Sequence, residues 1–560
     1  MHSDEFHRSV RRVLPEQRNA SLYCTMMKRW NGWGDESIHM RMPPSAAQYL
    51  AAVLGEGARL SDASFQDTVA QVPASSFARH PYPLLQTDAA ARLLRARGQS
   101  LPDWIALRSG EIGAFPDAVA FAHSDDDVRA ALQFARAARV AVIPYGGGTS
   151  VVGHINPERA IPTITLDVSG LNQLYDLDAT SQLATFGAGV TGPDLEAKLR
   201  VRGYTLGHFP QSWEYSTLGG WIAARSSGQQ SYYYGRIENL FAGGRVETPL
   251  GELEIPPLPA SAAGPDVRQI ILGSEGRAGV ITRATVRIRP LPEYEAFHAG
   301  ILRDWETGVR LVRELAQART NVSMLRLSDA DETHANLMLA GHANALGIAQ
   351  RALNLAGYGA EKCLLLFGVT GTRRECARVR RQVENALREF GGLPVPFLLG
   401  DMWRQARFRT PYLRNTLWEM GYALDTLETA VPWSRVAQTA SDLKNAIRYG
   451  LQNESERVLV FAHLSHVYAD GASIYVTYAF RRAPTPQQTL ARWEKLKTAA
   501  SHSIVAQRGT ISHQHGVGVD HAPYLIGEKG ALGVLAIQES LRALDPYEMM
   551  NPGKLVRNED

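Results

Sequence analysis

The stretch "PYGGGTSVVG", residues 144–153, follows directly on a short apolar run, "VAVIP" at 140–144. Glycine tolerates sharp turns and lets backbone N–H groups approach an anion such as a pyrophosphate. The spacing is not G-x-G-x-x-G leading into a nucleotide helix, which disfavours a dinucleotide-binding Rossmann fold. No Gly-Lys-Ser/Thr follows, so the stretch is not a P-loop either. Taken alone, three glycines at a strand end read more simply as a turn. Two further segments change that reading. "EYSTLGGWIAARSSGQQSYYYG" (214–235) and "LGSEGRAGVIT" (272–282) again place small and hydroxyl residues where main chain can lie against a flat, phosphorylated cofactor. Three such loops within one α/β stretch, with "GAGVTGPDLEAKL" among them, form a constellation that one loop does not.

Around these loops helices and strands alternate. "HSDDDVRAALQFARAARV" predicts a helix with Ser124 as N-cap and acids in its first turn, which suits the helix dipole. "TITLDV" and "QLATFGAGV" read as strands, the second running into "TGPDLEAKL", a helix opened by a capping Thr191 and an early Pro193. In "GVITRATVRIRPLP", Thr282, Ala284, Val286 and Ile288 alternate with Arg283, Thr285, Arg287 and Arg289. That is a half-buried strand ended by prolines.

The first hundred or so residues look mostly helical, with "YLAAVLGEGA" and "AAARLLRARGQ" at helical spacing. "KRWNGWGDE" is a Trp/Gly loop expected to pack on the core. A second α/β region runs from about Glu295 to Phe480, with long helices ("WETGVRLVRELAQAR", "RRECARVRRQVENALREFGG") and strands ("KCLLLFGVTG", "ASIYVTYAF"). A helix with Thr485 as N-cap, a histidine-rich stretch and a closing "LDPYEMMNPGKL" complete the chain. The expected boundaries are therefore 1–110 for a helical N-terminal region, 111–295 for a cofactor domain, 296–484 for a cap and 485–560 for a closing helical segment.

Composition narrows the classes. The 560 residues are 45% hydrophobic and 21% charged, ordinary for a globular protein, with a net charge of +3. That balance is far from a nucleic-acid signature, yet it does not oppose an anionic membrane or a phosphorylated substrate. Cys24, Cys363 and Cys376 are scattered and odd in number, which points to a reducing compartment. No run of 18 apolar residues occurs, and the N-terminus lacks the apolar core of a secretory signal. A soluble intracellular protein is expected.

One stretch resists such reading. "ISHQHGVGVDH" (511–521) crowds three histidines and a glutamine around Gly-Val-Gly. His513 and His515 are two apart and share a face only on a strand. On its own the stretch is a metal site, an acid/base cluster or a solvated loop.

In order along the chain, "PDAV", "IPYGGGTS", "LDVSGLNQL", "FGAGVTGPDLE", "STLGGWIAARSSG", "GSEGRAGVIT" and a terminal "DP…NPGKL" resemble the FAD-binding fold of the vanillyl-alcohol oxidase superfamily. Within it, "KRWNGWGDESI", "GYTLGHFPQSWEYSTLGGW", "SMLRLSD", "LETAVPWSRV", "DGASIYVTYAF" and "SHQHGVG" resemble the alkyldihydroxyacetonephosphate synthase family, from about Lys28 to Leu555. The resemblance implies an α+β chain: a two-subdomain FAD-binding fold of the vanillyl-alcohol oxidase type, an α/β cap and a helical N-terminal region. It places FAD on Pro144, Gly146, Gly147, Gly148, Thr149 and Ser150 of the first loop. The second loop adds Ser216, Thr217, Gly219, Gly220, Ser227 and Gly228, and the third Glu275, Gly276, Gly279, Val280 and Ile281. Flavin-tethering members of the superfamily typically carry a histidine where this chain has Thr149, so non-covalent FAD is implied.

The resemblance also implies a reaction. The family swaps the acyl group of acyl-dihydroxyacetone phosphate for a long-chain fatty alcohol through a flavin N5 adduct, with no net redox change. Its proton-handling tyrosine falls on Tyr475, its cap arginine on Arg326 and a second arginine on Arg414, and its His-His-His run on His513, Gln514 and His515. The chemistry is coherent, since phosphate and a departing carboxylate call for guanidinium. Imidazole moves protons near neutral pH, and tyrosine does so where nearby cations depress its pKa. Gln514 departs from the pattern, because an amide carries no proton.

Two other readings compete. FAD-dependent D-2-hydroxyacid dehydrogenases resemble "GHxGDGNxH" followed by "EHGxG", which bind a divalent metal. Here "AHLSHVYADGASIY" lacks the asparagine and the second histidine that should follow Asp-Gly, and Gln514 replaces the glutamate, so no metal is expected. The other is a non-catalytic lipid-binding protein on the same fold. "HANLMLAGHANALGIAQRALNLAGYGA" (334–360) reads as a buried cap helix pair or a lipid-facing lid. Peripheral membrane contact from the cytoplasm is expected, with a homodimer among the options. The N-terminal "RVLPEQRNA" only approaches a peroxisomal signal, because Asn19 stands where His or Gln is wanted.

Overall fold

The computed structural model describes residues 28–78, 82–339, 351, 353–395 and 398–556. Cys24, the near-match to a peroxisomal signal and residues 340–350 and 352 of the Leu/Ala-rich segment 334–360 lie outside the described residues. No helix among the described residues is long and apolar enough to cross a membrane.

The first glycine loop hangs from a four-stranded sheet in the order Leu85–Gln86, Ala118–Phe121, Thr163–Asp167, Ala141–Tyr145. The last three strands are parallel, and their apolar runs are buried on both faces. The helix Asp125–Ala138 covers this sheet and starts with a reciprocal capping box between Ser124 and Asp127, worth about 1 kcal/mol. A second, antiparallel sheet of five strands follows in the order Leu174–Asp178, Leu183–Gly187, Val280–Arg287, Phe241–Thr248, Gly251–Ile255. Its central strand obeys the sequence alternation, with Thr282, Ala284, Val286 and Ile288 all buried. Thr191 occupies the N-cap position of the helix Gly192–Arg200 but makes no cap bond. Its hydroxyl donates to Asp194 instead, so the early Pro193 and glycine backbone carry that helix start.

The cap is one antiparallel sheet of seven strands: Leu393–Val395, Tyr294–Leu302, Cys363–Gly371, Met324–Ser328, Val458–Val467, Gly471–Arg481, Tyr422–Pro432. The amphipathic helices Trp305–Gln317, Arg373–Glu389 and Val436–Arg448 bury their apolar stripes in its core. Described N-terminal residues add four helices, but "AAARLLRARGQ" holds only the short Ala89–Leu93 before the chain turns. The Trp/Gly loop packs as expected: Trp33 is buried, and Gly34 lies against the ring of Tyr412, where a Cβ has no room.

The end of the chain returns to the first sheet. Val142 donates its N–H to the carbonyl of Met549, and Asn551 donates back to the carbonyl of Val142. The Asn551 side chain also donates to the carbonyls of His154 (3.0 Å) and Glu275 (2.6 Å). The closing segment is thereby tied to the first sheet and to two of the glycine-rich loops.

Candidate active site

The three glycine loops meet. Gly146 abuts Thr217, Gly147 abuts the carbonyl oxygen of Tyr215, and Gly276 lies against the ring of Pro144. At Gly146 and Gly147 a Cβ would overlap the neighbouring loop, so glycine is required for the close approach. Gly148 needs it for another reason, its positive φ of 66°. Among the described residues, no backbone or side-chain acceptor takes the amide N–H of Gly146, Gly147, Gly148 or Thr149. Four consecutive free donors on a side-chain-poor turn form an anion nest.

Other sequence-chosen residues have local duties. Ser150 accepts from the amide of His154, and Thr217 caps the helix Leu218–Ala223, which carries Gly219 and Gly220. Ser216 accepts from the Trp221 indole. Gly228 packs on the backbone of Phe209, and Gly279 opens the strand that begins with Val280 and Ile281. Two residues turn their side chains toward the C-terminal half of the chain. Ser227 approaches His466 (3.4 Å), while Glu275 turns its carboxylate to the C-terminal loop and accepts from the amides of Val517 and Gly518.

That clamp holds His513 and His515 over the cap sheet. There Glu428, Tyr475 and His463 are direct partners on three adjacent strands and share one face. The Tyr475 ring stacks on His463 at 4.9 Å and meets His515 edge-on at 5.7 Å. Burial raises the Tyr475 pKa, and nearby Glu428 and Asp425 add to that rise. Tyr475 is thus held protonated, a hydrogen-bond donor, without the cation-depressed pKa considered from sequence.

Glu428 is 1% exposed, and the backbone N–H of Gln514 is a hydrogen-bonding neighbour of its carboxylate. Two imidazoles approach it, His513 Nδ1 at 3.6 Å and His515 Nε2 at 4.0 Å. Burial raises its carboxyl pKa against the pull of His515 and Arg236. His513 Nε2 receives the Tyr468 hydroxyl at 2.7 Å and an Arg236 N–H at 3.3 Å. Because guanidinium only donates, Nε2 must accept, which leaves the ring proton on Nδ1 facing Glu428. Burial lowers the pKa of both His513 and His515, so both are neutral near pH 7.

Arg326 flanks this cluster. Its Nη2 lies 2.8 Å from Glu332 and 3.1 Å from His463 Nδ1, which is itself 2.9 Å from Glu332. The imidazole and the guanidinium thus converge on one buried carboxylate. Arg414 is tied differently. It donates to the carbonyls of Gln99 and Leu424 and stacks on Trp104 at 4.3 Å, leaving Nη2 alone unpartnered.

Glu428, His463, His466, Arg236 and Tyr468 were not chosen from sequence. His463 and His466 stand in "AHLSHVYADG", a segment compared with a metal-binding pattern but not read as part of a proton-moving site. Among the described residues no three His, Cys, Asp or Glu side chains converge as a metal ligand set.

Residues 116–255 match the FAD binding domain family and residues 291–555 the C-terminal domain of FAD linked oxidases. Alkyldihydroxyacetonephosphate synthase of Trypanosoma brucei brucei is 30% identical over 482 residues, covering 84% of this chain and 78% of the relative. The chain belongs to the alkyldihydroxyacetonephosphate synthase family. A solved alkyldihydroxyacetonephosphate synthase superposes with a TM-score of 0.80 over 94% of this chain and 99% of its own, at 26% identity. A p-cresol methylhydroxylase structure, 13% identical, shares the fold at a TM-score of 0.64 over 92% of this chain and 97% of its own.

As in that family's fold, the chain is a flavoenzyme that takes FAD, and its residues fit the group. The free amides of 146–149 suit a pyrophosphate, and the glycines leave the space that side chains would fill. Gly147→Ala tests this cradle. The new methyl collides with the Tyr215 carbonyl, so the variant should purify with a flavin-to-protein absorbance ratio well below that of the parent and with a lower Tm. Full flavin loading would remove the first loop from the cofactor site.

Proposed function

We propose that the chain exchanges the acyl group of acyl-dihydroxyacetone phosphate for a long-chain fatty alcohol, making an ether lipid precursor without net redox change. The observation that carries this reading is the identity to the Trypanosoma enzyme over most of both chains. The buried cluster of Glu428, Tyr475, His513 and His515 supports it, because it is built to move protons. In the exchange, the bond from C1 to the acyl oxygen breaks and a bond from C1 to the alcohol oxygen forms. One proton leaves the alcohol and one fatty acid is released.

Bound FAD, held non-covalently with Thr149 at the place of a tether, supplies the covalent chemistry at C1. The chain's own groups handle protons and anions. Neutral His515 takes the alcohol proton, and Glu428 steadies the resulting imidazolium. Tyr475 stays protonated and donates to the departing carboxylate. Arg326 offers that carboxylate the N–H groups that Glu332 does not use. In this reading the chain works in the cytoplasm, in peripheral contact with the membrane that holds its fatty alcohols.

The match to FAD linked oxidases favours a second reading, a D-2-hydroxyacid dehydrogenase. The two differ in product. Holoenzyme given acyl-dihydroxyacetone phosphate and hexadecanol should release fatty acid and ether in equal amounts. Absence of ether, with flavin-loaded protein, would sink the exchange reading.

A further inference from the structure

A cleft of about 900 Å³ opens behind the histidine cluster, between the strand Val280–Arg287 and the C-terminal end of the helix Trp305–Gln317. That volume lies within the usual range for small-molecule sites. Arg236, Arg287, Arg289 and Arg319 line it, and no Asp or Glu does. The consecutive rings of Tyr232, Tyr233 and Tyr234 form part of its wall.

Among the described residues, three of these guanidiniums form no ion pair with a carboxylate. Arg287 donates only to the carbonyls of Asn239 and Phe241, and burial with the nearby charge of Arg268 lowers its pKa. Arg289 rests on the rings of Tyr233 and Tyr234, at 5.0 and 5.8 Å. Arg319 is exposed and makes no ion pair with any described residue. Among the described residues Arg236 alone of the four forms an ion pair, with Glu238 at 3.2 Å, while Asp266 acts on Arg287 from farther off. Uncompensated positive charge gathered around a concave, tyrosine-walled space concentrates anions.

The cleft shares a wall with the buried site. Arg236 and Tyr468 line it and bond His513, while Ser231 lines it and bonds His466 at 3.0 Å. A ligand seated here therefore lies one side chain away from the histidines.

We propose that this cleft is a binding site for a phosphomonoester, with Arg287, Arg289 and Arg319 on the phosphate and the tyrosine rings against its carbon body. A dianion fits three unpaired guanidiniums better than a single carboxylate does, and the planar guanidinium matches two phosphate oxygens at once. The site stands on its own chemistry, so it binds ligand whether or not the alkyl exchange occurs. The phosphomonoester is either a free three-carbon phosphate or the headgroup of a phosphatidate in a membrane.

Equilibrium binding to FAD-loaded protein separates these sources. One arm uses glycerol 3-phosphate, with neutral glycerol as control. The other uses phosphatidylcholine vesicles with and without phosphatidic acid. Saturable binding of either phosphate probe, absent with its neutral control, is expected. Arg289→Ala combined with Arg319→Ala should weaken it by about tenfold or more, the loss expected for charge-assisted hydrogen bonds. Arg319→Glu, at an exposed position without an ion pair, gives a second variant that keeps the fold and should weaken binding at least as much. Binding that neither variant changes, or no binding of either probe, overturns the proposal.

Discussion

Glu428→Gln should leave a protein that still holds FAD but exchanges acyl for alkyl roughly two or more orders of magnitude more slowly, the usual scale for a lost proton-transfer partner. The same variant should melt higher than the parent at pH 8. The sign follows from the raised carboxyl pKa of Glu428 in the folded state. At a pH above the ordinary glutamate value of 4.5, the unfolded chain sheds a proton that the folded chain tends to keep. Stability from this group is therefore fully present below that value and is lost as pH rises through the folded pKa. Glutamine has no such dependence. The Tm gap between variant and parent should narrow as pH falls toward the ordinary glutamate value. A Glu428 that merely braces the loop would give the opposite result, a lower Tm at every pH and loss of flavin.

Tyr475→Phe should show a comparable loss of rate, again with flavin retained. Its ring is held between His463 and His515, and phenylalanine keeps both contacts while removing the hydroxyl. The raised pKa also fixes what the pH profile should look like. Tyrosine stays protonated throughout the working range, so no alkaline limb belongs to it. The lowered pKa of His515 keeps that imidazole a base below its ordinary value of 6.5, and kcat/KM should hold steady down to that pH before falling. A Tyr475→Phe variant with unchanged kcat would remove the tyrosine from the proton path.

The sequence carried some of this site and not the rest, for identifiable reasons. Glycine loops are legible because a free amide run and a close backbone approach both demand glycine in place. The alternation from Thr282 to Ile288 is legible because one face of that strand is core. Glu428 is not, since "LETAV" has no local signature and only the register against Tyr475 and His463 gives it meaning. Arg414 illustrates the converse. A guanidinium that fits anion chemistry on paper is largely spent on the carbonyls of Gln99 and Leu424. Thr191 has the identity and position of a cap, yet Asp194 three residues on captures its hydroxyl. In each case tertiary or side-chain partners decide what the local sequence leaves open.

The central claim is that protons and groups move while electrons do not. Anaerobic incubation of the FAD-loaded protein with acyl-dihydroxyacetone phosphate and hexadecanol, with a redox dye present, tests it directly. The account predicts ether and fatty acid in equal yield over many turnovers, flavin absorbance that ends in the oxidised form, and no dye reduced. Steady dye reduction with D-lactate or D-2-hydroxyglutarate, and no ether from the phosphate substrate, would contradict it.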